Sequence, residues 1–257
     1  EGIRLNIDEV RSSIARRVGL DTVKYTAPSH YVDSVVSVMF EAIENYDQPL
    51  TKEKLCAWQS AFFPTGFSDG SQIQVGQYRT HEEHIVSGMF GREKIHYIAP
   101  SPEKVEEEME NFLQWFNADH TESSVICSAI AHLWFVSIHP FEDGNGRTAR
   151  LMSGYILDFY GYGFNGIGSL EEYFAYDPDE YYESLQMGLP ALYYSGRENP
   201  PHPEIWVNYF LRMVELYSQR VYELSKGVQE DDLDGSLSYL NAKEKDLLVF
   251  LLKKQNL

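Results

Sequence analysis

The sequence is poor in cysteine, in cationic side chains and in long apolar runs. Its two cysteines, Cys56 and Cys127, stand among apolar residues. We therefore expect two buried free thiols and not a disulfide scaffold, which is typical of a reducing compartment. No apolar run reaches the length of a membrane-spanning helix, and the first residues do not form a signal peptide. These absences predict a cytoplasmic protein that does not bind membranes.

The charge balance excludes another class of protein. Lysine and arginine number 21 against 39 aspartates and glutamates, which gives a formal net charge of -18. Such a surface repels nucleic acid and needs cations before a polyphosphate can approach. The basic footprint of a nucleic-acid-binding surface is absent. The chain is nevertheless 43% hydrophobic, so it can bury a substantial core.

Helical periodicity dominates the 257 residues, and the expected fold class is mainly α. We expect three regions: an N-terminal helical region over 1–50, a helical core over 51–226, and a tail over 227–257. The tail comprises an acidic linker and the first helix of a truncated module. Because the chain begins with Glu1 in place of Met, we expect it to start inside a longer native sequence.

The segment from Ser68 to Pro102 differs from the helical remainder. Its glycines and short β-prone runs predict a β-hairpin with strands at His84–Ser87 and Lys94–Ile98. Two strands alone are only marginally stable in water. The hairpin must therefore pack on the helices or bind another molecule.

The segment His139-Pro-Phe-Glu-Asp-Gly-Asn-Gly-Arg-Thr-Ala-Arg150 concentrates the candidate chemistry. A glycine-rich turn at a helix N-terminus points backbone amides at an anion, and the helix dipole adds to the attraction. We expect the following helix to start near Arg147. Arg147 and Arg150 then lie on neighbouring turns of one face, where each guanidinium can hold phosphate oxygens.

Two further side chains of this segment complete a phosphoryl- or nucleotidyl-transfer site. An imidazole such as that of His139 suits proton abstraction from a hydroxyl group. Asp143 would repel a polyphosphate unless a cation such as Mg²⁺ intervened. Taken singly, each residue is more often structural, but the combination within twelve residues is specific. A zinc hydrolase using His132 and His139 is disfavoured, because no third ligand has a suitable spacing.

The same segment matches the Fic-family motif His-x-Phe-x-(Asp/Glu)-Gly-Asn-Gly-Arg-x-x-Arg at every defined position. The resemblance extends from about Thr51 to Leu224. It implies a Fic-type helical bundle with a β-hairpin flap, and an enzyme that transfers AMP from ATP to a Ser, Thr or Tyr hydroxyl of a target protein and of the chain itself. Relatives that phosphorylate, transfer another nucleotide or remove AMP form one alternative, and a regulatory, DNA-associated module in the full-length protein is the other. The first motif glycine, Gly144, favours AMP transfer.

The resemblance also assigns roles to individual residues. It implies that His139 is the general base and that Asp143 holds Mg²⁺. The phosphate and ATP contacts that it implies are Gly144, Asn145, Gly146, Arg147 and Arg150, with Tyr181 and Tyr182 near the adenine. Core tyrosines are an equal alternative for the last two. The flap would pair with a segment of the target protein, for which Ile85, Val86 and Ile98 are the candidates.

Many Fic relatives are inhibited by a glutamate in a (Ser/Thr)-x-x-x-Glu-(Gly/Asn) helix. Glu1, followed by Gly2, resembles the end of that motif in the subgroup with N-terminal inhibition. We therefore hypothesise that Glu1 pairs with Arg150 and inhibits the enzyme; a frayed terminus is the alternative. The tail resembles the start of a winged-helix module, which implies DNA contact only through the missing remainder. The sequence leaves a homodimer open.

Overall fold

A computed structural model describes residues 5–19, 26–45, 47–68, 70–89, 91–162, 170–196 and 200–226. The hypothesis about Glu1 and the predicted tail over 227–257 lie outside the described residues. Within them the fold is mainly α, as predicted. The helices are α1 (Ile7–Arg17), α2 (His30–Glu44), α3 (Lys52–Phe62), α4 (Pro102–Phe116), α5 (Ser124–Ile138), α6 (Asn145–Phe159), α7 (Leu170–Tyr176), α8 (Pro178–Leu185) and α9 (Pro203–Lys226).

Helix α5 lies at the centre and packs against α4, α6 and α9. The sequence predicts burial on most of its sides, and this is confirmed, since Ala129, Ala131, Phe135 and Ile138 are all fully buried. Hydrophobic clusters flank it on two sides. One contains Trp58, Phe112 and Met152, and the other contains Phe174, Trp206 and Phe210. Because α5 is held from several directions, its C-terminal end is a rigid place for a functional residue.

Helix α1 packs on α2 through polar contacts. Its buried residues are Ser12 and Ser13, and the Ser13 hydroxyl donates a 2.6 Å hydrogen bond to Asp33. The basic end of α1 also reaches Asp33, through Arg16 and through Arg17 at 3.5 Å. These contacts join α1 to α2 within the predicted N-terminal region.

Helix α6 begins two residues earlier than the sequence predicts. Gly144, at φ 90°, is its N-cap residue, and the helix starts at Asn145 instead of near Arg147. The prediction was wrong because it treated the whole Gly144–Gly146 segment as a turn. One left-handed residue is sufficient to reverse the chain, so Asn145 and Gly146 belong to the first helical turn.

The predicted hairpin is confirmed, and a third strand joins it. Strands β3 (His84–Ser87) and β4 (Lys94–Ile98) are antiparallel, with a bulge between Ile85 and Val86. Strand β5 (Leu192–Tyr193) pairs in parallel with β4, so the order is β3-β4-β5. A second short pair, β1 (Phe67–Ser68) and β2 (Ser71–Gln72), precedes the hairpin. The sheet edge on the β3 side carries no partner strand among the described residues.

None of the described helices combines the length and the apolar character that crossing a membrane requires.

Candidate active site

His139 caps the C-terminal end of α5 in a left-handed conformation, at φ 52°. Its ring Nδ1 lies 3.2 Å from the carbonyl oxygen of Val136. A carbonyl oxygen can only accept, so Nδ1 carries the proton and Nε2 keeps its lone pair. Burial lowers the pKa of His139 from 6.5 to about 4; the Val136 hydrogen bond opposes this shift, and Arg79 adds to it. The ring is therefore neutral at pH 7 and able to accept a proton.

The strained position of His139 is held by Arg79, a residue that the sequence reasoning missed. The Arg79 side chain is only 2% exposed, and its Nε donates to the His139 carbonyl at 2.7 Å. It also donates to the carbonyl oxygens of His81 and Pro100, both at 2.7 Å. Burial lowers the pKa of the guanidinium, but arginine remains charged in proteins. The only sequence feature that could have indicated this role is the position of Arg79, a basic residue just before the hairpin.

Two side chains fix the interior of the loop. Phe141 is fully buried against Tyr78 and Phe135 and so anchors the loop in the core. The Asn145 amide accepts from the Phe141 N–H at 2.9 Å and donates to the Phe141 carbonyl at 2.7 Å. The Asn145 side chain is therefore committed to the loop itself. Only its backbone N–H, in the first turn of α6, remains suited to an anion.

Gly144 occupies a position where any side chain would be strained. A Cβ atom there would lie 2.9 Å from Cε2 of Phe63, and the backbone is left-handed. The preceding carbonyl, that of Asp143, accepts a 3.2 Å hydrogen bond from the buried amide of Gln59. The oxygen of the same amide accepts from the N–H of Gly76 at 2.7 Å. Because Gln59 belongs to α3, this helix holds the turn in place.

The carboxylate of Asp143 lies at the mouth of this turn. It accepts hydrogen bonds from the Ser68 hydroxyl and from the N–H of Gly144, and Arg147 lies 3.8 Å away. The side chain is 34% exposed, so an oxygen can still reach a cation. One accessible carboxylate beside a phosphate-binding turn fits Mg²⁺, which binds one or two carboxylates together with phosphate oxygens.

The two motif arginines are held in different ways. The guanidinium carbon of Arg147 lies 4.4 Å from the ring centre of Phe63, and its NH1 lies 3.5 Å from the Tyr31 hydroxyl. The Nε of Arg150 donates to both carboxylate oxygens of Glu171, at 2.7 and 2.6 Å. The structure thus identifies an acidic partner for Arg150 on α7, which the sequence reasoning did not foresee.

Tyr181 and Tyr182 differ in their surroundings. Tyr181 is buried, and its hydroxyl lies 2.9 Å from Nε2 of His132, whereas Tyr182 is half exposed. The other ring nitrogen of His132 lies 2.9 Å from the Ser153 hydroxyl. Both His132 nitrogens are therefore used in the core, which removes the zinc hydrolase alternative. The contact of the two tyrosines with adenine stays a prediction.

The flap is joined at its base to the end of α5 that precedes the His139–Arg150 loop. The Tyr97 hydroxyl donates to the Ser137 carbonyl, two residues before His139. Of the predicted docking residues, Ile85 and Val86 lie on the edge strand β3, but Ile98 lies on the central strand β4. The Ile98 backbone pairs with strands on both sides, so it cannot accept a further strand. Exposed apolar side chains at the outer end are Val86, Met89 and Ile95.

The helical fold and this loop define a Fic-type domain, and comparisons with known proteins agree. A sequence model of the Fic/DOC family matches residues 49–157. The chain is 38% identical over 87 residues to the protein adenylyltransferase Fic of Drosophila virilis. That match covers 32% of this chain and only 18% of the fly protein.

Solved structures show the same fold. Fic-1 from C. elegans superposes with a TM-score of 0.56 at 22% identity, covering 89% of this chain and 61% of that chain. IbpAFic2 covalently tethered to Cdc42 superposes with a TM-score of 0.51 at 16% identity, covering 84% and 65%. Residues 49–157 therefore match the Fic/DOC family, as the motif from His139 to Arg150 predicts, and the described residues have the helical fold of Fic proteins.

Proposed function

We propose that this chain transfers AMP from ATP to a hydroxyl group of a protein, with His139 as the general base. The observation that carries the proposal is the neutral His139 ring, which keeps a lone pair on Nε2 and precedes by five residues the N-cap glycine of α6, Gly144. Its support from relatives is the similarity to the fly protein adenylyltransferase.

In the proposed reaction the target hydroxyl gives its proton to Nε2 of His139. The hydroxyl oxygen attacks the α-phosphorus of ATP, and the bond from that phosphorus to the β-phosphate oxygen breaks. Pyrophosphate leaves, and AMP stays on the protein. The backbone amides at the start of α6, together with Arg147, would bind the phosphate oxygens as charge develops on them.

Two other residues, Asp143 and Arg150, would bind the polyphosphate, one through Mg²⁺ and one directly. Asp143 would hold Mg²⁺, which when bound neutralises phosphate charge. Ser68, which now donates to the Asp143 carboxylate, would turn away from the oxygen that takes the cation. Arg150 would hold the γ-phosphate once it leaves Glu171.

The protein substrate would dock on the open edge of β3. Strand addition supplies backbone hydrogen bonds, and the apolar side chains of Val86 and Met89 would add contact area. The similar fold of IbpAFic2, a protein tethered to Cdc42, supports a protein as the substrate. A Val86→Asp variant should modify target proteins in a lysate more weakly while its KM for ATP stays the same. An equal loss in a Leu216→Asp variant, changed on α9, would argue against this edge.

The experiment that tests the activity compares ATP labelled at the α-phosphate with ATP labelled at the γ-phosphate. Wild type should incorporate only the α-label, and mass spectrometry should show an intact AMP group. His139→Ala should incorporate none, whereas His202→Ala, which changes an exposed histidine directly before α9, should behave as wild type. Incorporation of the γ-label, or labelling by His139→Ala, would overturn the proposal.

A further inference from the structure

A second group of chemically reactive side chains lies where α4 turns into α5, away from the catalytic loop. A ring nitrogen of His120, a carboxylate oxygen of Glu122 and the Sγ atom of Cys127 all lie within 4.8 Å of one another. Cys127 stands twelve residues before His139, which corresponds to about 18 Å along a helix. The group therefore takes no part in the proposed transfer reaction.

The three side chains are held by different parts of this turn. The His120 ring packs on Trp115 with the ring centres 4.6 Å apart. Cys127 is buried in the first turn of α5, where its N–H donates to the Ser123 carbonyl at 2.9 Å. Glu122 is exposed, so its carboxylate can move toward the other two at little cost. Two of the three positions are thus fixed before any ligand binds.

One atom of the group is unsatisfied. Nε2 of His120 is buried, and no hydrogen-bond partner for it is found in the described part of the chain. Buried polar atoms are normally hydrogen-bonded, and an exception calls for an explanation such as an ion. A ring nitrogen beside a thiol and a carboxylate is the donor combination that zinc sites use.

We propose that His120, Glu122 and Cys127 bind one Zn²⁺ ion, with water in the fourth position. Zinc bonds of about 2.0 to 2.3 Å in a tetrahedron place ligand atoms about 3.5 Å apart, so a small contraction closes the site. The thiolate ligand favours zinc over Mg²⁺, and the thiol proton is released on binding. The ion would join the α4–α5 turn to the first turn of α5 and stabilise the central helix from its N-terminal end.

Cobalt substitution tests this site directly, since Co²⁺ bound to a thiolate gives a charge-transfer absorption that a sulfur-free site lacks. The protein is stripped with a chelator and titrated with Co²⁺ and then with Zn²⁺. Wild type should show the thiolate band at one equivalent of Co²⁺ and lose it when Zn²⁺ is added. Cys127→Ser should lack the band, whereas Cys56→Ser, the other buried free cysteine, should keep it.

A surface variant covers the case in which Cys127→Ser fails to fold. Glu122→Gln changes an exposed side chain and should keep the band while raising the Kd for Zn²⁺ at least about tenfold. Wild type should also unfold at a higher temperature with one equivalent of Zn²⁺ than after stripping, and Glu122→Gln should show a smaller difference. A missing band in wild type, or a Zn²⁺ affinity unchanged by Glu122→Gln, would overturn the proposal.

Discussion

Arg150 of the motif forms an ion pair with Glu171, and the Glu171→Gln variant tests whether this pair competes with ATP. In the structure both carboxylate oxygens of Glu171 accept from Nε of Arg150. Under the proposed function, a γ-phosphate must displace this carboxylate before it can use Arg150. The variant removes the competing charge and keeps the size of the side chain and one accepting oxygen.

The size of the effect follows from exposure. The Arg150 side chain is 14% exposed, but that of Glu171 is 51% exposed, so solvent screens the pair. Such a pair contributes at most about 1 kcal/mol, which corresponds to about a fivefold change in an equilibrium constant. We therefore expect Glu171→Gln to lower the Kd for ATP about two- to fivefold, and less so at high salt.

Isothermal titration with a non-hydrolysable ATP analogue measures this change. AMP serves as the internal control, because it has no γ-phosphate and its affinity should not change. Glu172→Gln, at the neighbouring exposed position on α7, is the matched variant and should bind the analogue as wild type does. An unchanged or weaker affinity in Glu171→Gln, or an equal gain for AMP, would refute the competition.

Three further predictions concern the loop and its supports. Arg79→Leu should leave several carbonyl groups without a donor and lower the free energy of unfolding by at least about 3 kcal/mol, measured by urea denaturation. Gly144→Ala should cost about 1 to 3 kcal/mol, because of its positive φ and the contact with Phe63, and should abolish α-label incorporation. Below pH 6.5 the unfolded chain binds a proton at position 139 that the folded chain, with its pKa of about 4, does not. Stability from His139 is thus fully present above pH 6.5 and falls toward pH 4, by at most about 3 kcal/mol, in denaturation curves at successive pH values.

Each of these predictions has a matched comparison. Arg79→Lys keeps the charge but not the fork of donors, so it should recover only part of the lost stability. Gly154→Ala, inside α6 with open space around the new methyl group, should be neutral or stabilising. His139→Gln should flatten the acid limb of the stability profile. An Arg79→Leu variant that unfolds at the same urea concentration as wild type would contradict the first prediction. A Gly144→Ala variant that still incorporates the α-label would contradict the second, and an acid limb of His139→Gln equal to that of wild type would contradict the third.

Much of the fold could be predicted from the sequence because its signals are local. The apolar run of α5, Ser101 and Pro102 before α4, and the β-prone strands around Gly88 and Gly91 each depend on neighbouring residues. The two residues of β5 gave no such signal, since they form a strand only by pairing with β4 after nearly a hundred intervening residues. Pairing across that distance depends on tertiary structure, which no local pattern encodes.

For the candidate site, too, the local features could be predicted from the sequence and the long-range contacts could not. The order of residues from His139 to Arg150 predicts a compact loop, and the structure brings those residues together. The order of residues does not predict that the Asn145 side-chain amide is hydrogen-bonded to the Phe141 backbone, nor that Glu171 forms an ion pair with Arg150. Those contacts depend on how the helices pack, as does the commitment of Arg79 to the His139 carbonyl.

The buried Arg79 links segments that are distant in sequence into one cooperative unit. Its guanidinium joins the residues before the hairpin, the base of β4 at Pro100 and the end of α5 at His139. If the hairpin base opens, a cation loses its carbonyl partners, and the left-handed backbone at His139 loses its restraint. Local unfolding of the flap should therefore release His139 while the helical core stays folded. In hydrogen exchange, the amide of His139 should then exchange with the flap and not with the rest of α5.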